Sequence, residues 1–253
     1  MKFSEYIAGH QVFTTSDLMG AMDSPAAAEQ QLRLAVRSGA VERARRGLLV
    51  SNSGRFEDAP VDPYDVVAAA DPLAVLSYHS ALEAHGVAHN AGFACQFRSR
   101  LVKASFEFRG VRYVPCGSPD GIASGPVRGG ASRRVATTRE QTVVDCLASP
   151  AKAGGAEEAV RSLSAFAYLD LDALVAAVSG LGPSMASRVG WLLSEKRGDW
   201  HVGQDVLDAL RGMTGSGPYR LGARGAGPGG FSAEWRLILP EADEEVASWI
   251  TRF

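Results

Sequence analysis

Residues 13–52 contain the pattern that most restricts how this chain can fold. Thr14 and Thr15 precede a short helical segment, and a threonine hydroxyl there can accept a hydrogen bond from a free amide of the first turn. Ser24-Pro25 predicts the start of a second helix, because serine caps helices and proline favours the first helical position. Gly39 predicts the end of that helix, because glycine readily adopts the left-handed conformation found there.

Two short strands are predicted after the second helix. Val41–Arg46 and Leu48–Val50 flank Gly47, which predicts a β-hairpin with arginines at its tip. The order of helix, turn, helix and basic hairpin is typical of a winged helix-turn-helix, a fold that reads the major groove of DNA.

The second helix has two faces of different character. Ala28, Leu32, Ala35 and Val36 share one side at helical spacing, which predicts a face packed against a core. The opposite side offers a small residue for close approach, an amide that can read adenine, and two arginines that can reach guanine or phosphate. The hairpin arginines add charge for phosphates or the minor groove. The predicted DNA-binding residues are therefore Thr15, Ser16, Ser24, Ala26, Gln30, Arg33, Arg37, Arg43, Arg45 and Arg46.

An ordinary amphipathic helix and hairpin with solvated arginines is the alternative interpretation of this block. Glutamine and arginine are common on any exposed helix face, so the helix alone does not decide between the two. The capped helix before it and the arginine-tipped hairpin after it favour DNA binding.

The composition is that of a globular protein. The chain has 253 residues, 46% of them hydrophobic and 21% charged, which suffices for one large domain or two modest ones. No stretch approaches the ~18 apolar residues of a membrane span, and residues 1–12 do not resemble a signal peptide. Cys95, Cys116 and Cys146 are odd in number and widely spaced, which favours a reduced, cytoplasmic protein without disulfides or zinc-type cysteine pairs.

The net charge of −2 is unevenly distributed. Residues 1–56 contain seven basic and five acidic residues, a net of +2. Residues 98–139 contain nine basic and two acidic residues, a net of +7. A basic middle segment in a near-neutral chain favours an anionic partner, with a solvated sheet face as the alternative.

The order of the predicted elements indicates an α+β fold with two domains. Residues 1–56 form the winged helix-turn-helix, residues 57–62 a linker, and residues 63–253 a mixed domain with a late helical portion. Predicted strands cover residues 93–97, 105–108, 111–114, 133–136 and 234–239. Predicted helices cover 64–70, 77–85, 138–147, 157–166, 171–178, 184–194 and 202–211, and glycine-rich loops cover 117–130 and 212–230.

Seven segments of the chain carry a resemblance to a known family. FTTSDL and VRSGAVERARRGLLV lie in the N-terminal block, and LSYHSALEAHG (76–86) and VATTREQTVVDCLASP (135–150) lie in the middle. GGAEEAVRSL (154–163), RVGWLLSE (188–195) and EWRLILP (234–240) follow. With these segments in this order, the chain resembles the AbiEi family of antitoxin-type transcriptional regulators.

The resemblance implies a cytoplasmic member of a toxin–antitoxin pair that represses its own operon by binding double-stranded DNA. It also implies a C-terminal domain that counteracts a toxin similar to nucleotidyltransferases. We expect the toxin-facing surface in the basic middle segment, with an extended DNA footprint as the alternative. The residues concerned are Arg98, Arg100, Lys103, Arg109 and Arg112.

Other candidate chemistry is weaker. His79, His85 and His89 lack partners at metal-ligand spacing, so packing or capping roles are favoured over a metal site. The run GAGPGG (225–230) matches a dinucleotide fingerprint, but no strand precedes it and no helix follows it, so a flexible loop is favoured. The helix start at 137–140 is more simply a structural cap than an anion site. No catalytic residue, metal or cofactor is predicted.

Two further functions stand beside that of a repressor that neutralises a toxin. The C-terminal domain could sense a small ligand without any toxin partner, or it could be an enzyme that uses the N-terminal domain for targeting. No catalytic motif supports the enzyme. The operator sequence and the oligomeric state stay open at this level.

Overall fold

The computed structural model describes residues 1–92, 94–127, 134–223 and 229–250, and its fold is mixed α+β. The chain divides into two compact units. Unit 1 contains Met1–Ala74, Phe93–Pro119 and Gly130–Arg134, and unit 2 contains Val75–Gly92, Asp120–Gly129 and Val135–Phe253. Unit 1 therefore extends beyond the predicted N-terminal domain of residues 1–56.

The elements follow one another along both units. The helices are α1 (Phe3–Gly9), α2 (Thr15–Ala21), α3 (Pro25–Ser38), α4 (Pro63–Ala70), α5 (His79–Ala84), α6 (Arg139–Ala148), α7 (Ala156–Ser164), α8 (Leu171–Val178), α9 (Pro183–Glu195), α10 (Gln204–Met213) and α11 (Asp243–Ser248). The strands are β1 (Val12–Thr14), β2 (Val41–Arg45), β3 (Leu48–Ser51), β4 (Val75–Leu76), β5 (Ala94–Arg98), β6 (Phe106–Phe108), β7 (Val111–Pro115), β8 (Ser124–Val127), β9 (Arg134–Thr137), β10 (Tyr219–Arg220), β11 (Phe231–Ser232) and β12 (Leu237–Ile238).

The first half of unit 1 packs α1, α2 and α3 against an antiparallel sheet in the order β1-β3-β2. Its core includes Tyr6, Phe13, Leu18, Leu32 and Leu49, all of them buried. The sequence pattern did not predict α1 or β1, because they are only seven and three residues long and too short for a clear periodicity.

Local capping signals fix the start of α2 and the end of α3. Thr14 is the cap of α2: its hydroxyl accepts from the Asp17 amide at 3.0 Å, and the Asp17 carboxylate accepts from the Thr14 amide at 3.1 Å. Gly39 ends α3 with a φ of 80°, the left-handed conformation predicted from the sequence. Ser24 precedes Pro25 as predicted, although its side chain makes no capping hydrogen bond.

Residues 57–62, predicted as a linker, are tied into unit 1. The Ala59 carbonyl accepts from Arg109 Nη1 at 3.0 Å, and Asp62 forms an ion pair with Arg134. The polar groups of this segment, which predicted a solvated linker, form hydrogen bonds and an ion pair within unit 1 instead.

The second half of unit 1 contains three neighbouring strands in the order β6-β7-β5, with β6 antiparallel and β5 parallel to β7. Arg109-Gly110, between the strands predicted at 105–108 and 111–114, forms the turn that connects β6 to β7. Both residues have a positive φ, 46° and 78°, as a two-residue hairpin of this kind requires.

Unit 2 is built around a helical core to which α6, α7, α8, α9 and α10 all contribute. Trp191, Trp200, Trp235 and Trp249 are buried in this core. Strands complete the unit: β4 pairs in parallel with β9, which also neighbours β8, and β10, β12 and β11 form a three-stranded sheet in that order.

Two predictions for unit 2 are wrong. Ser124–Val127 forms β8 inside a segment predicted as a glycine-rich loop, because β8 is an edge strand, where Pro126 is tolerated. The strand predicted for residues 234–239 is limited to Leu237–Ile238, because a turn precedes it and places Trp235 in the core. The strand predicted at 133–136 is β9, with Arg133 outside the described residues.

None of the helices in the described part of the chain has both the length and the apolar character that crossing a membrane requires.

Candidate nucleic-acid interface

A cleft of about 1050 Å³ lies in unit 1 between α3 and the hairpin of β2 and β3. The buried Leu32 of α3 and Leu49 of β3 form its apolar base. Six of the ten residues predicted to contact DNA line this cleft, and four of the six are arginines. They are Thr15, Ala26, Arg33, Arg43, Arg45 and Arg46.

The tip of the hairpin is fixed to the start of α2. The Thr15 amide donates to the Gly47 carbonyl at 2.9 Å. Gly47 has a φ of 79°, which the tight turn requires and which glycine adopts without strain. The turn holds Arg46 at the cleft, where Arg43 and Arg46 are both exposed.

Arg45 differs from the other hairpin arginines. Its guanidinium carbon lies 5.3 Å from the centre of the Phe106 ring, which stacks on Tyr113 with 4.6 Å between ring centres. The side chain is half-buried, and a guanidinium held over an aromatic face stabilises packing. Arg45 thus supports the hairpin against β6, and Arg43 and Arg46 are the exposed charges beside the tip.

The other four predicted contact residues lie beside the cleft and do not line it. Ser16, Ser24, Gln30 and Arg37 are all exposed. With 3.6 residues per turn, Gln30 and Arg37 lie about 60° and 40° around α3 from Arg33. Both are rotated in the same direction, so they lie together on one side of the stripe of α3 that faces the cleft.

Glu29 also lines the cleft, although the sequence pattern did not single it out. Its carboxylate oxygen lies 3.1 Å from Nη2 of Arg33, one turn later on α3. Both side chains are well exposed, 61% for Glu29 and 64% for Arg33. The signal was its spacing, three residues after Ala26 and four before Arg33, which puts it on the same stripe.

The basic residues of the middle segment form two groups. The register of β5 and β7 pairs Ala94 with Arg112 and Phe97 with Pro115. Arg98 and Arg112 therefore lie at opposite ends of this strand pair, four residues or about 13 Å apart. Arg100 and Lys103 follow Arg98 in the next turn, so the five residues predicted as one partner surface are separated.

Arg109 has a contact within unit 1 that the sequence did not predict. Its guanidinium forms an ion pair with Glu42 of β2 and donates to the Ala59 carbonyl. The hydrogen bond to Glu42 is the main cause of the raised pKa of Arg109. Arg109 therefore joins the β6–β7 hairpin to β2, which leaves it less available to a separate partner.

Glu158 is the centre of a buried polar cluster in unit 2. Its carboxylate accepts from the amides of His89 and Asn90 at 3.1 Å, from the Asn90 side chain at 2.6 Å and from Ser162 Oγ at 2.8 Å. His79 Nε2 lies 3.3 Å away. Burial raises the pKa of Glu158, but the hydrogen bonds from Asn90 and Ser162 and the neighbouring His79 outweigh it, so the pKa is lowered.

His79, His85 and His89 all make polar contacts within unit 2. His79 and His89 belong to the Glu158 cluster, and His85 Nε2 donates to the Thr137 carbonyl at 2.8 Å. Within the described residues, no group of three histidine, cysteine or acidic side chains is arranged to hold a metal ion.

Replacing Glu158 with glutamine is expected to lower the stability of unit 2 at pH 7 by about 1–3 kcal/mol, because buried donors lose a charged acceptor. Since the folded pKa is lowered, this stabilisation is complete above the unfolded pKa of about 4.3 and is lost as the pH falls through the folded value. The difference in unfolding free energy between wild type and Glu158→Gln should therefore shrink below about pH 4.

Urea unfolding followed by tryptophan fluorescence measures this effect, because all four tryptophans lie in unit 2. Glu157→Gln is the matched control, since Glu157 is the adjacent residue and its side chain is 55% exposed. Equal losses from the two substitutions would contradict the role given to the Glu158 cluster.

The helix start at 137–140 is a structural cap. The Thr138 hydroxyl accepts from the Gln141 amide at 3.2 Å, and the Arg139 guanidinium carbon lies 4.0 Å from the centre of the Tyr168 ring. A cavity of about 550 Å³ in unit 2 borders this segment and His85. Arg128 and the greater part of the glycine run at 225–230 lie outside the described residues.

Comparison with known proteins supports the fold. No family model matches the sequence, and no curated protein matches it. The crystal structure of the RV2827C protein from Mycobacterium tuberculosis is similar, with a TM-score of 0.67 at 20% sequence identity. The alignment covers 99% of this chain and 95% of that protein, so the likeness extends over the α+β fold of both units.

Proposed function

We propose that residues 1–56 form a winged helix-turn-helix and that the protein is a DNA-binding transcriptional regulator. In this proposal α2 and α3 are the helix-turn-helix, α3 is the recognition helix, and β2 and β3 are the wing. The observation that carries the proposal is the cleft beside α3, on which four arginines converge. An exposed cationic cleft beside a helix is suited to the phosphates and base edges of a duplex.

The cleft residues have distinct expected roles. Arg33 projects from α3 with most of its side chain exposed, which suits a bidentate contact to guanine in the major groove. Arg43 and Arg46 are carried by a hairpin that is too short to fill a groove, so phosphates are their expected targets. Gln30 and Arg37 widen the footprint along α3.

Replacing Arg43 and Arg46 with alanine is expected to reduce the salt dependence of DNA binding. Each lost phosphate contact removes about one released counterion, so the slope of log affinity against log salt should become shallower by about 1 to 2 units. Fluorescence anisotropy of a labelled duplex over a salt series measures the slope.

The matched control replaces Arg197 and Arg220 with alanine, because both are exposed in unit 2 and the change in net charge is the same. This control should keep the wild-type slope. A wild-type slope for the Arg43/Arg46 variant would show that these residues do not meet the DNA backbone.

The family resemblance supports two roles in the cytoplasm. One is repression of the protein's own operon, and the other is neutralisation of a nucleotidyltransferase-like toxin. The test is co-expression with the neighbouring gene, scoring growth rescue and promoter activity. Growth rescue by wild type and by an Arg33/Arg43/Arg46 variant that no longer represses would support separate toxin and DNA surfaces. Absence of a toxic neighbouring gene would remove the antitoxin part and leave DNA binding intact.

Ligand sensing by unit 2 is the second candidate function. The cavity of about 550 Å³ at His85 and Arg139 supports it, because small-molecule sites commonly have volumes of about 300–1,000 Å³. A metabolite that raises the unfolding temperature of unit 2 and changes operator affinity would favour this function over the antitoxin.

A further inference from the structure

Glu29 is an acidic residue in the cationic cleft, and its position needs an explanation. A carboxylate beside DNA repels phosphates, so a solvated ion pair with Arg33 is expected to weaken binding unless the carboxylate finds a donor on the duplex. Ala26, Glu29 and Arg33 form the stripe of α3 that faces the cleft. Glu29 is the fifth residue of α3, in the N-terminal half of the helix that contacts base edges in helix-turn-helix proteins.

The bases offer few donors to such a carboxylate in the major groove. Adenine presents its N6 donor next to the N7 acceptor, which repels a carboxylate, whereas cytosine presents the N4 amino group as a donor alone. Guanine, the pairing partner of cytosine, presents O6 and N7 as acceptors, and arginine is the side chain that meets both.

The spacing within the Glu29–Arg33 pair fits one base pair. Its Nη2–Oε1 distance is 3.1 Å. In a C·G pair the N4 donor and the O6 acceptor are joined by a hydrogen bond of about 2.9 Å, so they lie equally close together on the groove edge. The Glu29 acceptor and the Arg33 donor already have this separation, so they are complementary to the donor and acceptor on that edge. The ion pair can stay intact when both bind the base pair.

We infer that Glu29 and Arg33 act as one unit that reads a single C·G base pair, with Glu29 accepting from cytosine N4 and Arg33 donating to guanine. This inference rests on the proposed DNA-binding function and deepens it. Glu29 is then a specificity determinant: it opposes non-specific binding through its charge and favours one base pair through its acceptor.

The test begins with selection of a preferred duplex from a random library by the full-length wild-type protein. The affinity of wild type and of Glu29→Ala, which removes the acceptor oxygens together with the charge, is then measured for all single base-pair changes of that duplex. We expect one C·G position at which Glu29→Ala loses a preference of about 10-fold to 100-fold. We also expect its affinity for unrelated duplexes to rise, because a negative charge is removed. Glu57→Ala, at an exposed acidic residue of unit 1 outside the cleft, is the control with the same charge change.

The outcomes separate this inference from the function on which it rests. If the wild-type protein selects no duplex and binds none, the proposed function fails as well. If the wild type is selective and Glu29→Ala keeps the same preference at every position, Glu29 reads no base pair and the inference is wrong. A preference lost at an A·T position would also overturn the assignment to cytosine.

Discussion

Replacing Arg33, Arg43 and Arg46 with glutamate in one variant is expected to abolish DNA binding at physiological salt. The variant loses one base contact worth about 1–3 kcal/mol and two phosphate contacts, and it gains repulsion at each of the three positions. Together these effects predict a fall in affinity of roughly a thousandfold or more. Fluorescence anisotropy with a selected duplex measures the loss, and circular dichroism verifies that the variant is folded.

The control for this experiment is a second triple reversal with the same change in net charge. Arg100, Lys103 and Arg112 are exposed on unit 1 and do not line the cleft, so their replacement by glutamate should leave affinity close to that of the wild type. A comparable loss in this control would extend the DNA footprint to the sheet of β5, β6 and β7. A folded cleft variant that binds as tightly as the wild type would refute the proposed interface.

Sequence signals were sufficient where they act over a few residues. The start of α2 and both ends of α3 follow from Thr14, Pro25 and Gly39, each of which acts within one turn of its own helix. Positions on α3 follow from helical periodicity, which is why Leu32 was assigned to the buried face and Arg33 to the exposed face from the sequence. The hairpin followed from its turn residues in the same way, so the main elements of the candidate interface were predictable.

Contacts between distant residues were beyond the sequence pattern. Glu42 and Arg109 are 67 residues apart, and nothing in either segment indicates that they form an ion pair. The same holds for Arg45, whose contact with Phe106 cannot be derived from the hairpin sequence. These contacts explain why unit 1 extends to residues that were predicted to belong to a second domain. They also show that Arg45, predicted to contact DNA, and Arg109, predicted to contact a partner, have structural roles within unit 1.

Replacing Gly190 with alanine is expected to destabilise unit 2 by about 3 kcal/mol, the upper end of the usual cost of overpacking a core. A Cβ at Gly190 would lie 2.1 Å from Cζ3 of Trp235 and 2.4 Å from two further atoms of the ring. The ring cannot move away cheaply, because the indole nitrogen donates to Ser194 Oγ at 2.9 Å and the Trp235 carbonyl accepts from Ser187 Oγ at 2.6 Å. Gly190 lies within α9, so the requirement is for space and not for a special backbone conformation.

Two further variants make the Gly190 prediction decisive in urea unfolding followed by tryptophan fluorescence. Gly212→Ala places the same methyl group on α10, where no atom lies within 4 Å, and should raise stability by about 0.5–1 kcal/mol because alanine favours the helix. Combining Gly190→Ala with Trp235→Leu should cost much less than the sum of the two single changes, because leucine leaves the room that the methyl group takes. This double variant also keeps the test valid if Gly190→Ala alone does not fold. Two results would contradict the proposed steric clash between a side chain at position 190 and Trp235. One is a loss of unfolding free energy in the double variant equal to the sum of the single losses. The other is a Gly190→Ala protein as stable as Gly212→Ala.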